Sequence, residues 1–582
     1  MSGRIADVLP LTPVQEGLLF HAVRDAEGPD PYLVQARFRT GPAITAGALR
    51  DALGALLERH PNLRACFRHA RLDRPVQVIP HAVTPPWAEA DLTALPAEEA
   101  AARAETLLAE DRARRFDLTR PPLVRALFLR HADGGELVLT FHHILLDGWS
   151  VPVVERDLAA LVTGEPLPPA VPHRSYALWL SRQDQGLARA AWRDALAGLE
   201  RPAPLVTGER AGAGEPDTVR RHLTPELTAA LTRRAAEAGV TLNTLTQAAW
   251  ALVLARLTGA RDLVFGGVVS GRPHDLPGAG EMVGLFINTL PVRVRLREGE
   301  TVGELLTRLQ DEQARLVPHH HVRLADIQRG TVAGPSGAGE LFDTVLAFEN
   351  FPRGTDERAD GPYSVRVRDV RDATHYPVTL AVVAGERLLL AVGCRYGLSA
   401  ATVTARVVRA FEQLAGDPAT PVDRIDVLPE AEHRALLARA SGAPAADVPG
   451  PATVTGRFAA QVARTPDAPA VESGDSGDDV LTYAGLDEES ALLARRLVAA
   501  GVPPGSTVAL LLPRSPSLVV AQLAVLKAGA RWLPLDPAQP GERLRRLIGA
   551  ASAGMVVSQG EPPVELPADV RHFDLASGPL PP

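Results

Sequence analysis

The most informative stretch of the sequence is FHHILLDGWS, residues 141–150. A run typical of a buried strand, residues 137–141, leads directly into His142 and His143, and an Asp-Gly turn follows. Because successive side chains of an extended strand point to opposite faces, only one of the two histidines can face a given cavity. The pattern therefore favours one working histidine with one structural partner, and it argues against a metal site built from both.

Helix signals flank this strand on both sides. Residues 12–15 carry a capping-box pattern, with Thr at the cap, Pro in the first turn and Gln three residues on. A second helix is predicted over residues 46–58, and Ser150 can cap a third helix that ends at Gly164. Strands and helices alternate again near the end of the chain, which indicates a parallel α/β sheet there.

The segment HHILLDG resembles the HHxxxDG signature of condensation and epimerization domains from non-ribosomal peptide synthetases. Further segments resemble the other motifs of that family and follow in the same order along the chain. They are LTPVQEGLLFHA (11–22), RHPNLR (59–64), SYALW (175–179), GLFINTLP (284–291), LADIQ (324–328) and FDTVLAFENFP (342–352). Several spaced motifs in register are a far more specific signal than any one of them.

The resemblance implies a fold and a set of boundaries. The fold is α/β, with two chloramphenicol-acetyltransferase-like lobes that form a V-shaped pseudo-dimer around a tunnel. We expect the N-terminal lobe at residues 1–180 and the C-terminal lobe at residues 181–435 of the condensation domain. A linker is expected at 436–455, followed at 456–582 by an incomplete α/β adenylation subdomain.

The resemblance also implies roles for the residues around the two histidines. His143 is expected in the tunnel as the catalytic residue, with His142 as its structural neighbour. Asp147 is expected to pair with Arg64 and hold the motif loop, while Gly148 lets the backbone pass close to the reacting centre. Three further side chains are candidates for the tunnel lining: Trp149, Ser150 and Asn288. No metal is implied.

The last part of the chain resembles the start of an adenylation domain. VARTPDAPAV (462–471), LTYAGL (481–486) and LKAGARWLPLDP (526–537) match the opening of that family in order. The Ser/Thr/Gly-rich phosphate loop that should follow is missing, and so is the catalytic lysine found near the end of such domains. Lys527 is followed by Ala, so it does not belong to a Walker motif. We therefore expect this segment not to adenylate an amino acid.

The implied activity is amide-bond formation between a peptidyl or aminoacyl thioester donor and an aminoacyl acceptor. Both are presented on the 4'-phosphopantetheine arms of partner carrier proteins, and no covalently bound cofactor is expected on this chain. No LGGxS-type carrier motif is present. Because the resemblance begins within the first dozen residues, we expect the donor carrier to act in trans and the acceptor carrier to lie downstream. The opening motif is closer to the branch that contains D-donor enzymes than to the AQxRLWFL form.

Composition limits the remaining possibilities. A formal net charge of -8 argues against a nucleic-acid partner, because phosphate binding needs a basic surface. No signal peptide is visible, and the longest apolar run, near residues 518–526, is shorter than the ~20 residues that cross a bilayer. Cys66 and Cys394 are predicted to be buried free thiols. We expect a cytoplasmic monomer without membrane contact, active in secondary-metabolite biosynthesis.

Four alternatives share part of this pattern. An epimerization domain has the same fold and motif, but such domains usually follow carriers, whereas an adenylation-like start follows here. A heterocyclization domain would carry Asp in place of the motif histidines. A non-catalytic docking module and a stand-alone acyltransferase of the same superfamily are the other two, and an assay for a dipeptidyl thioester separates them from a condensation enzyme.

Two short stretches invite other interpretations. GDSG at 474–477 resembles the nucleophile loop of serine proteases, but it lies in an acidic stretch within the adenylation-like segment. Three consecutive histidines at 319–321 suggest a metal site, yet adjacent side chains cannot converge on one ion in regular geometry. We predict a solvated helix end or loop for these histidines.

Overall fold

The computed structural model describes residues 4–24, 30–199, 204–206, 216–331, 341–350, 361–441, 453–473 and 479–577. The chain divides into two compact units, Met1–Leu436 and Leu437–Pro582. Most of the linker expected at 436–455 lies outside the described residues, and so does the GDSG stretch.

The first unit alternates between strands and helices. Its strands are β1 (Ile5–Pro10), β2 (Leu33–Thr40), β3 (Cys66–Arg68), β4 (Val76–Pro80), β5 (Trp87–Asp91), β6 (Val124–His131), β7 (Gly134–His142), β8 (Asp217–His222), β9 (Asp262–Val269), β10 (Asn288–Arg295), β11 (Thr344–Glu349), β12 (Val365–Arg371), β13 (Val378–Val383) and β14 (Leu389–Cys394). Its helices are α1 (Pro13–Arg24), α2 (Ala46–Arg59), α3 (Ala97–Arg112), α4 (Ser150–Thr163), α5 (Arg174–Ser181), α6 (Gln185–Ala195), α7 (Pro225–Glu237), α8 (Leu242–Thr258), α9 (Val302–Leu316), α10 (Leu324–Thr331), α11 (Ala400–Leu414) and α12 (Glu430–Ala440), the last of which runs past the boundary between the units.

The first lobe is built on a five-stranded sheet in the order β12-β2-β7-β6-β5. β7 lies at its centre, antiparallel to β2 and to β6, and His142 at the end of β7 is opposite Leu33 at the start of β2. All residues of β7 from Gly135 onward are buried, because helices α2 and α4 share a hydrophobic core with this sheet. The strand predicted at 137–141 and the helix predicted at 46–58 are confirmed.

The second lobe is built on a six-stranded sheet in the order β10-β9-β11-β13-β14-β8. Helix α8 packs in its core: the side chain of Thr241 caps its first turn, and its residues from 244 to 254 are all buried. Gly259 ends α8 in the left-handed region, with φ of 72°. The predicted α/β class with two sheet-based lobes is confirmed.

One strand from the second half of the domain, β12, lies in the sheet of the first lobe, and we call it the exchanged strand. β12 pairs with β2 in the first-lobe sheet, with Arg371 opposite Gln35, whereas β13 lies between β11 and β14 in the second-lobe sheet. The connection over residues 372–377 therefore crosses from one lobe to the other. A boundary at residue 180 consequently does not separate the two sheets completely, because a strand from the second half of the condensation domain completes the sheet of the first.

Among the described helices, none by itself is long and apolar enough to span a membrane. Helices α7 and α8 are together long and apolar enough to do so, but the pair bends by 107° and α8 is buried inside the second lobe.

The cysteine prediction is confirmed, since Cys66 and Cys394 are both buried and free. Burial raises the pKa of the Cys394 thiol to about 12, which leaves it protonated at neutral pH.

The prediction of a solvated stretch at residues 319–321 is wrong for part of it. His321 is buried, and burial lowers the pKa of His320 to about 4. The carbonyl of His319 accepts a hydrogen bond of 3.0 Å from Trp192 Nε1. These residues pack into the second lobe because α6 and the turn after α9 meet there.

The second unit is a parallel α/β layer with a small hairpin. Its elements are α13 (Val454–Arg464), β15 (Pro469–Ser473), β16 (Asp479–Thr482), α14 (Tyr483–Ala499), β17 (Thr507–Leu511), α15 (Pro516–Lys527), β18 (Arg531–Leu535), α16 (Gly541–Ala550), β19 (Ala553–Ser558) and β20 (Arg571–Asp574). The parallel sheet has the order β18-β17-β19-β20, as the alternation of elements predicts. Lys527 ties α15 to α14 by donating to Asp487 Oδ1 and Ser490 Oγ, each at 2.7 Å, so its role is structural.

The RHPNLR segment contacts helix α4 and the loop between β7 and α4, residues 143–149, which we call the histidine loop. The carboxylate of Asp157, on α4, is fully buried and accepts from Arg59 Nε and His60 Nε2, each at 2.8 Å. Burial alone would raise the pKa of Asp157, but the hydrogen bonds from His60, Arg59 and Arg156 outweigh it and lower that pKa to about 2. Asn62 donates to the carbonyl of Leu145 at 3.3 Å.

The depressed pKa makes a prediction about acid stability. The stabilisation from Asp157 is fully present above the carboxyl pKa of the unfolded chain and is lost as pH falls from about 4 to about 2. Asp157→Asn is therefore expected to lower the free energy of unfolding by about 2 kcal/mol at pH 7 and by about half as much at pH 3. Urea unfolding at both pH values measures this, with the exposed Asp133→Asn as control. An equal loss at both pH values would contradict the prediction.

Candidate active site

The end of β7 presents its two histidines to different surroundings. The amide of His142 donates to the carbonyl of Leu123 at 3.0 Å, and the amide of His143 donates to the carbonyl of Tyr32 at 2.8 Å. The His142 side chain is fully buried, whereas the His143 side chain keeps 16% of its surface exposed. The predicted divergence of the two side chains is confirmed, and only His143 is open to a reactant.

His142 is fixed inside the first lobe. Its Nδ1 accepts a hydrogen bond of 3.1 Å from the amide of Ile144, and its Nε2 lies 3.5 Å from Asp30 Oδ2. Burial lowers the pKa of His142 below its usual value, so the ring is neutral and its proton lies on Nε2, facing Asp30. Both nitrogens are thus directed at protein groups, which fits a structural role.

His143 is held in the opposite tautomer. Its Nδ1 lies 3.0 Å from the carbonyl oxygen of Leu146, and because a carbonyl only accepts, Nδ1 carries the hydrogen. In the neutral ring the Nε2 atom therefore keeps a lone pair. Nε2 lies 4.0 Å from Oδ2 of Asp372, a carboxylate on the connection that crosses between the lobes. The ring is pre-oriented to accept a proton at Nε2.

Asp147 is the centre of the loop that carries His143. Its fully buried carboxylate pairs with Arg272 Nη2 at 3.0 Å. It also accepts from the amide and the hydroxyl of Ser150, at 3.0 and 2.8 Å, and from the amide of Phe286 at 3.0 Å. One carboxylate thus joins the histidine loop, the start of α4 and a segment of the second lobe.

The predicted pairing of Asp147 with Arg64 is wrong. Arg64 ends the short 3-10 helix Pro61–Arg64 and is buried, and its Nε has no hydrogen-bond partner among the described residues. Burial lowers the pKa of Arg64. The position opposite Asp147 is filled from the second lobe by Arg272, which is held in place by the ring of Phe286 at 4.0 Å.

The three residues predicted to line a tunnel have different surroundings. Ser150 is fully buried; its hydroxyl oxygen accepts from the amide of Gly284 at 3.1 Å and lies 2.9 Å from the carbonyl oxygen of the same residue. Asn288 is also buried and donates to the carbonyls of His320 and Val322. Both side chains therefore hold the backbone together instead of facing an open passage. Trp149 is half-buried, and its Nε1 donates to a backbone carbonyl of the second lobe.

Two further predictions concern the start of α4 and the turn at Gly148. The prediction that Ser150 caps α4 is wrong: Ser150 is the first residue of that helix, and its amide donates to the Asp147 side chain instead. Gly148 is half-buried, and its carbonyl accepts from the amide of Val151 at 3.2 Å as the loop turns into α4.

The opening motif reaches the histidine loop, a contact that sequence reasoning missed. Thr12 and Gln15 form the predicted capping box, because each backbone amide donates to the other side chain, at 2.9 and 3.4 Å. The side-chain nitrogen of Gln15, Nε2, donates a hydrogen bond of 3.0 Å to the carbonyl of Ile144. The start of α1 is therefore fastened to the loop that orients His143.

Sequence reasoning also missed Arg272 and Asp372. One local signal was available for Arg272, which follows Gly271 in the turn SGRP. Gly271 has φ of 59°, and a Cβ there would come within 1.9 Å of the carbonyl oxygen of Phe286. A glycine is thus required where Arg272 enters the site. No comparable pattern marks Asp372.

Comparisons with known proteins agree with this architecture. The sequence model described as "Condensation domain" matches residues 5–437. The chain belongs to the condensation domain family. The model described as "AMP-binding enzyme" matches residues 458–575, which covers the adenylation-like segment. The first domain is therefore a condensation domain of a non-ribosomal peptide synthetase, a class of acyltransferase that forms amide bonds.

The curated relatives are much longer than this chain. It is 33% identical to tyrocidine synthase 2 of Brevibacillus parabrevis over 98% of its own length and 16% of that protein. It is 33% identical to surfactin synthase subunit 3 of Bacillus subtilis (strain 168) over 96% of its length and 44% of that protein. A linear gramicidin synthase protein of Brevibacillus parabrevis is 36% identical over 98% of this chain and 7% of that protein. The chain thus spans less than half of each of these relatives.

Solved structures share the fold at low sequence identity. A four-domain nonribosomal peptide synthetase bound to AMP and glycine aligns with a TM-score of 0.69 and 20% identity, over 99% of this chain and 45% of that one. The first condensation domain of the calcium-dependent antibiotic synthetase, in complex with a substrate analogue, aligns with a TM-score of 0.61 and 22% identity. That alignment covers 73% of this chain and all of that one.

The buried ion pair between Asp147 and Arg272 leads to a prediction about stability. Arg272→Ala is expected to destabilise the first unit by about 3–5 kcal/mol, because it leaves the buried Asp147 carboxylate without its ionic partner. Arg64→Ala leaves the pair intact and is expected to destabilise less. Urea unfolding of both variants measures the difference. A larger loss for Arg64→Ala than for Arg272→Ala would show that the pairing is assigned to the wrong arginine.

Proposed function

We propose that this chain joins a carrier-bound peptidyl or aminoacyl thioester to the amine of a carrier-bound aminoacyl acceptor, with His143 at the reacting centre. The observation that carries the proposal is the fixed tautomer of His143. Its Nδ1 hydrogen is held by the carbonyl of Leu146, so Nε2 keeps a lone pair on a ring that is partly exposed. This is the arrangement of a group that takes a proton from an attacking amine.

The chemistry makes modest demands on the protein. A thioester is already activated, and an amine next to a thioester carbonyl is less basic than a lysine amine. The amine nitrogen attacks the thioester carbon, the new C–N bond forms, and His143 Nε2 takes the proton that the nitrogen must lose. The C–S bond then breaks, and the sulfur leaves as the thiol after taking a proton back. Orientation of the two reactants can supply about 7–11 kcal/mol, and a positioned base about a hundredfold in rate.

The other site residues are proposed to act through His143. Asp147, Arg272 and Ser150 fix the loop that ends at Leu146, the group that holds the Nδ1 hydrogen. His142 fills the interior next to it with its neutral ring. These are positioning roles, since none of these groups faces the Nε2 side of His143.

Partner carriers are proposed to deliver both reactants on 4'-phosphopantetheine arms. Support comes from the relatives, which are peptide synthases, and from the sequence, which contains no carrier motif. Delivery of the donor in trans stays a prediction, and the assay below addresses it by supplying the donor on a separate carrier.

Residues 458–575, which the AMP-binding family matches, are proposed not to adenylate an amino acid by themselves. They contain no Ser/Thr/Gly-rich phosphate loop. The only lysine among them, Lys527, is engaged in the contact between α14 and α15. We therefore expect no amino-acid-dependent ATP–pyrophosphate exchange above that of a boiled control.

The central experiment mixes the protein with loaded donor and acceptor carriers and detects the dipeptidyl thioester by intact mass. His143→Ala is expected to lower the rate at least about a hundredfold while leaving Tm nearly unchanged, because the side chain is partly exposed and leaves no core cavity. His81→Ala, at an exposed histidine in the first lobe, is the matched control. Equal rates in wild type and His143→Ala would refute the assignment, and a non-catalytic docking module would give no product with either.

A second prediction concerns the configuration of the donor. We propose a D-configured residue at the carboxyl end of the donor, on the strength of the opening motif LTPVQEGLLFHA. That motif forms the start of α1, whose Gln15 contacts the histidine loop, so it lies near the reacting centre. Matched D- and L-terminated donors on one carrier, competing for one L-aminoacyl acceptor, should give mainly the D-derived product. A preference for the L-donor would overturn the stereochemical proposal and leave the condensation activity intact.

A further inference from the structure

The connection between β12 and β13 brings residues of the second lobe beside His143. β12 ends in the first-lobe sheet at Arg371, and β13 begins in the second-lobe sheet at Val378. Between them, Asp372 places its Oδ2 atom 4.0 Å from Nε2 of His143. The exchanged strand therefore adds an acidic side chain on the open side of the catalytic ring.

This connection is fixed on both sides of Asp372. On one side, Arg371 is paired in register with Gln35 of β2. On the other, Nδ1 of His375 lies 2.6 Å from the hydroxyl of Tyr32, whose carbonyl accepts the amide hydrogen of His143. The same tyrosine thus touches both the connection and the catalytic residue.

The distance between Asp372 and His143 suits a bridging nitrogen. At 4.0 Å the two side chains are too far apart for a direct hydrogen bond, which needs about 2.7–3.2 Å. A single amine nitrogen can lie about 2.9 Å from both atoms at that separation. The Asp372 side chain is 55% exposed, so a small polar group can reach it. A carboxylate next to a basic nitrogen is suited to a neutral amine, which can donate one N–H hydrogen to each of them and keeps its lone pair for the attack.

The other titratable and charged groups of the neighbouring elements have partners of their own. Asp30 faces Nε2 of His142 and lies 4.0 Å from Arg115. His375 stacks on His21 of α1 with ring centroids 4.0 Å apart, and on Tyr376 at 3.9 Å. The titratable groups linked by these contacts come from the segment before β2, from β7, α1 and the connection: they are Asp30, Tyr32, His142, His21, Asp372 and His375. Of these, the structure places Asp372 opposite Nε2 of His143.

We propose that the carboxylate of Asp372 binds the α-amino group of the acceptor and stabilises the imidazolium of His143 during the transfer. The inference rests on the proposed function and adds a substrate-binding residue to it. The acceptor donates N–H hydrogens to Asp372 Oδ2 and to His143 Nε2. When the C–N bond forms, the nitrogen gives one proton to Nε2, and the positive imidazolium lies beside the negative carboxylate. The proton then passes to the sulfur as the C–S bond breaks, so Asp372 stays ionised throughout.

A binding experiment tests the recognition without turnover. The probes are the pantetheine amide of the aminoacyl group that the wild type converts best, and the matching 2-hydroxyacyl amide, in which a hydroxyl replaces the amine. The wild type is expected to bind the amine probe about three- to tenfold more tightly than the hydroxyl probe. Asp372→Asn should abolish this preference, Asp372→Glu should restore part of it, and Asp133→Asn, at the far end of β7, should behave as the wild type.

The pH profile of condensation provides a second readout, one that a merely structural residue would not move. Removing the negative charge disfavours the imidazolium form of His143. In Asp372→Asn the acid limb of the kcat profile is therefore expected to move to lower pH by about 0.5–1 unit. An unchanged probe preference together with an unchanged acid limb would overturn the proposal for Asp372. Absence of product in the wild type with every acceptor would instead refute the proposed function, while the binding comparison, made with alanyl and lactyl amides, still decides the role of Asp372.

Discussion

The buried ion pair between Asp147 and Arg272 is the interaction on which the rest of the site depends. A carboxylate with no exposed surface needs compensation for lost hydration, and here it receives one guanidinium and three further hydrogen bonds. Those donors come from the start of α4 and from Phe286 in the second lobe. Because each donor is needed, the carboxylate fixes the relative positions of the loop, the helix and the second-lobe segment. The carbonyl of Leu146, which sets the tautomer of His143, lies one residue before it.

The exchanged strand links the two lobes in two ways: it completes a sheet, and it brings side chains of the second half to His143. The first-lobe sheet is completed by β12, and the connection to β13 brings Asp372 and His375 to the histidine that ends β7. The ring of His143 thus comes from the first half of the condensation domain, while Arg272 and the carboxylate of Asp372 come from the second. Neither half contains the whole site.

Local patterns in the sequence were sufficient to predict several helices and strands, and to predict that His142 and His143 have different surroundings. The capping box at Thr12 and Gln15, the strand before His142 and the Gly end of α4 each depend on residues a few positions apart. The partner of Asp147 could not be found in this way, because Arg272 is 125 positions away and no spacing rule links the two. Arg64 was a reasonable expectation only because it belongs to the same motif series. Likewise, no pattern within residues 365–371 says that β12 joins the sheet of the first lobe.

The two carboxylates of the site illustrate opposite uses of the same group. Asp147 is buried and fully bonded, so its negative charge is balanced by protein and is unavailable to a substrate. Asp372 is more than half exposed, and its Oδ2 atom lies 4.0 Å from Nε2 of His143, beyond the distance of a direct hydrogen bond. A buried carboxylate with all its hydrogen bonds made fixes structure, whereas an exposed one near a lone pair is suited to accept a hydrogen bond from a bound amine. Asp372 reaches His143 on the connection between β12 and β13, and Asp147 is neutralised by Arg272 of the second lobe. Contacts between the lobes therefore both hold the loop that carries His143 and place a negative charge beside its Nε2 atom.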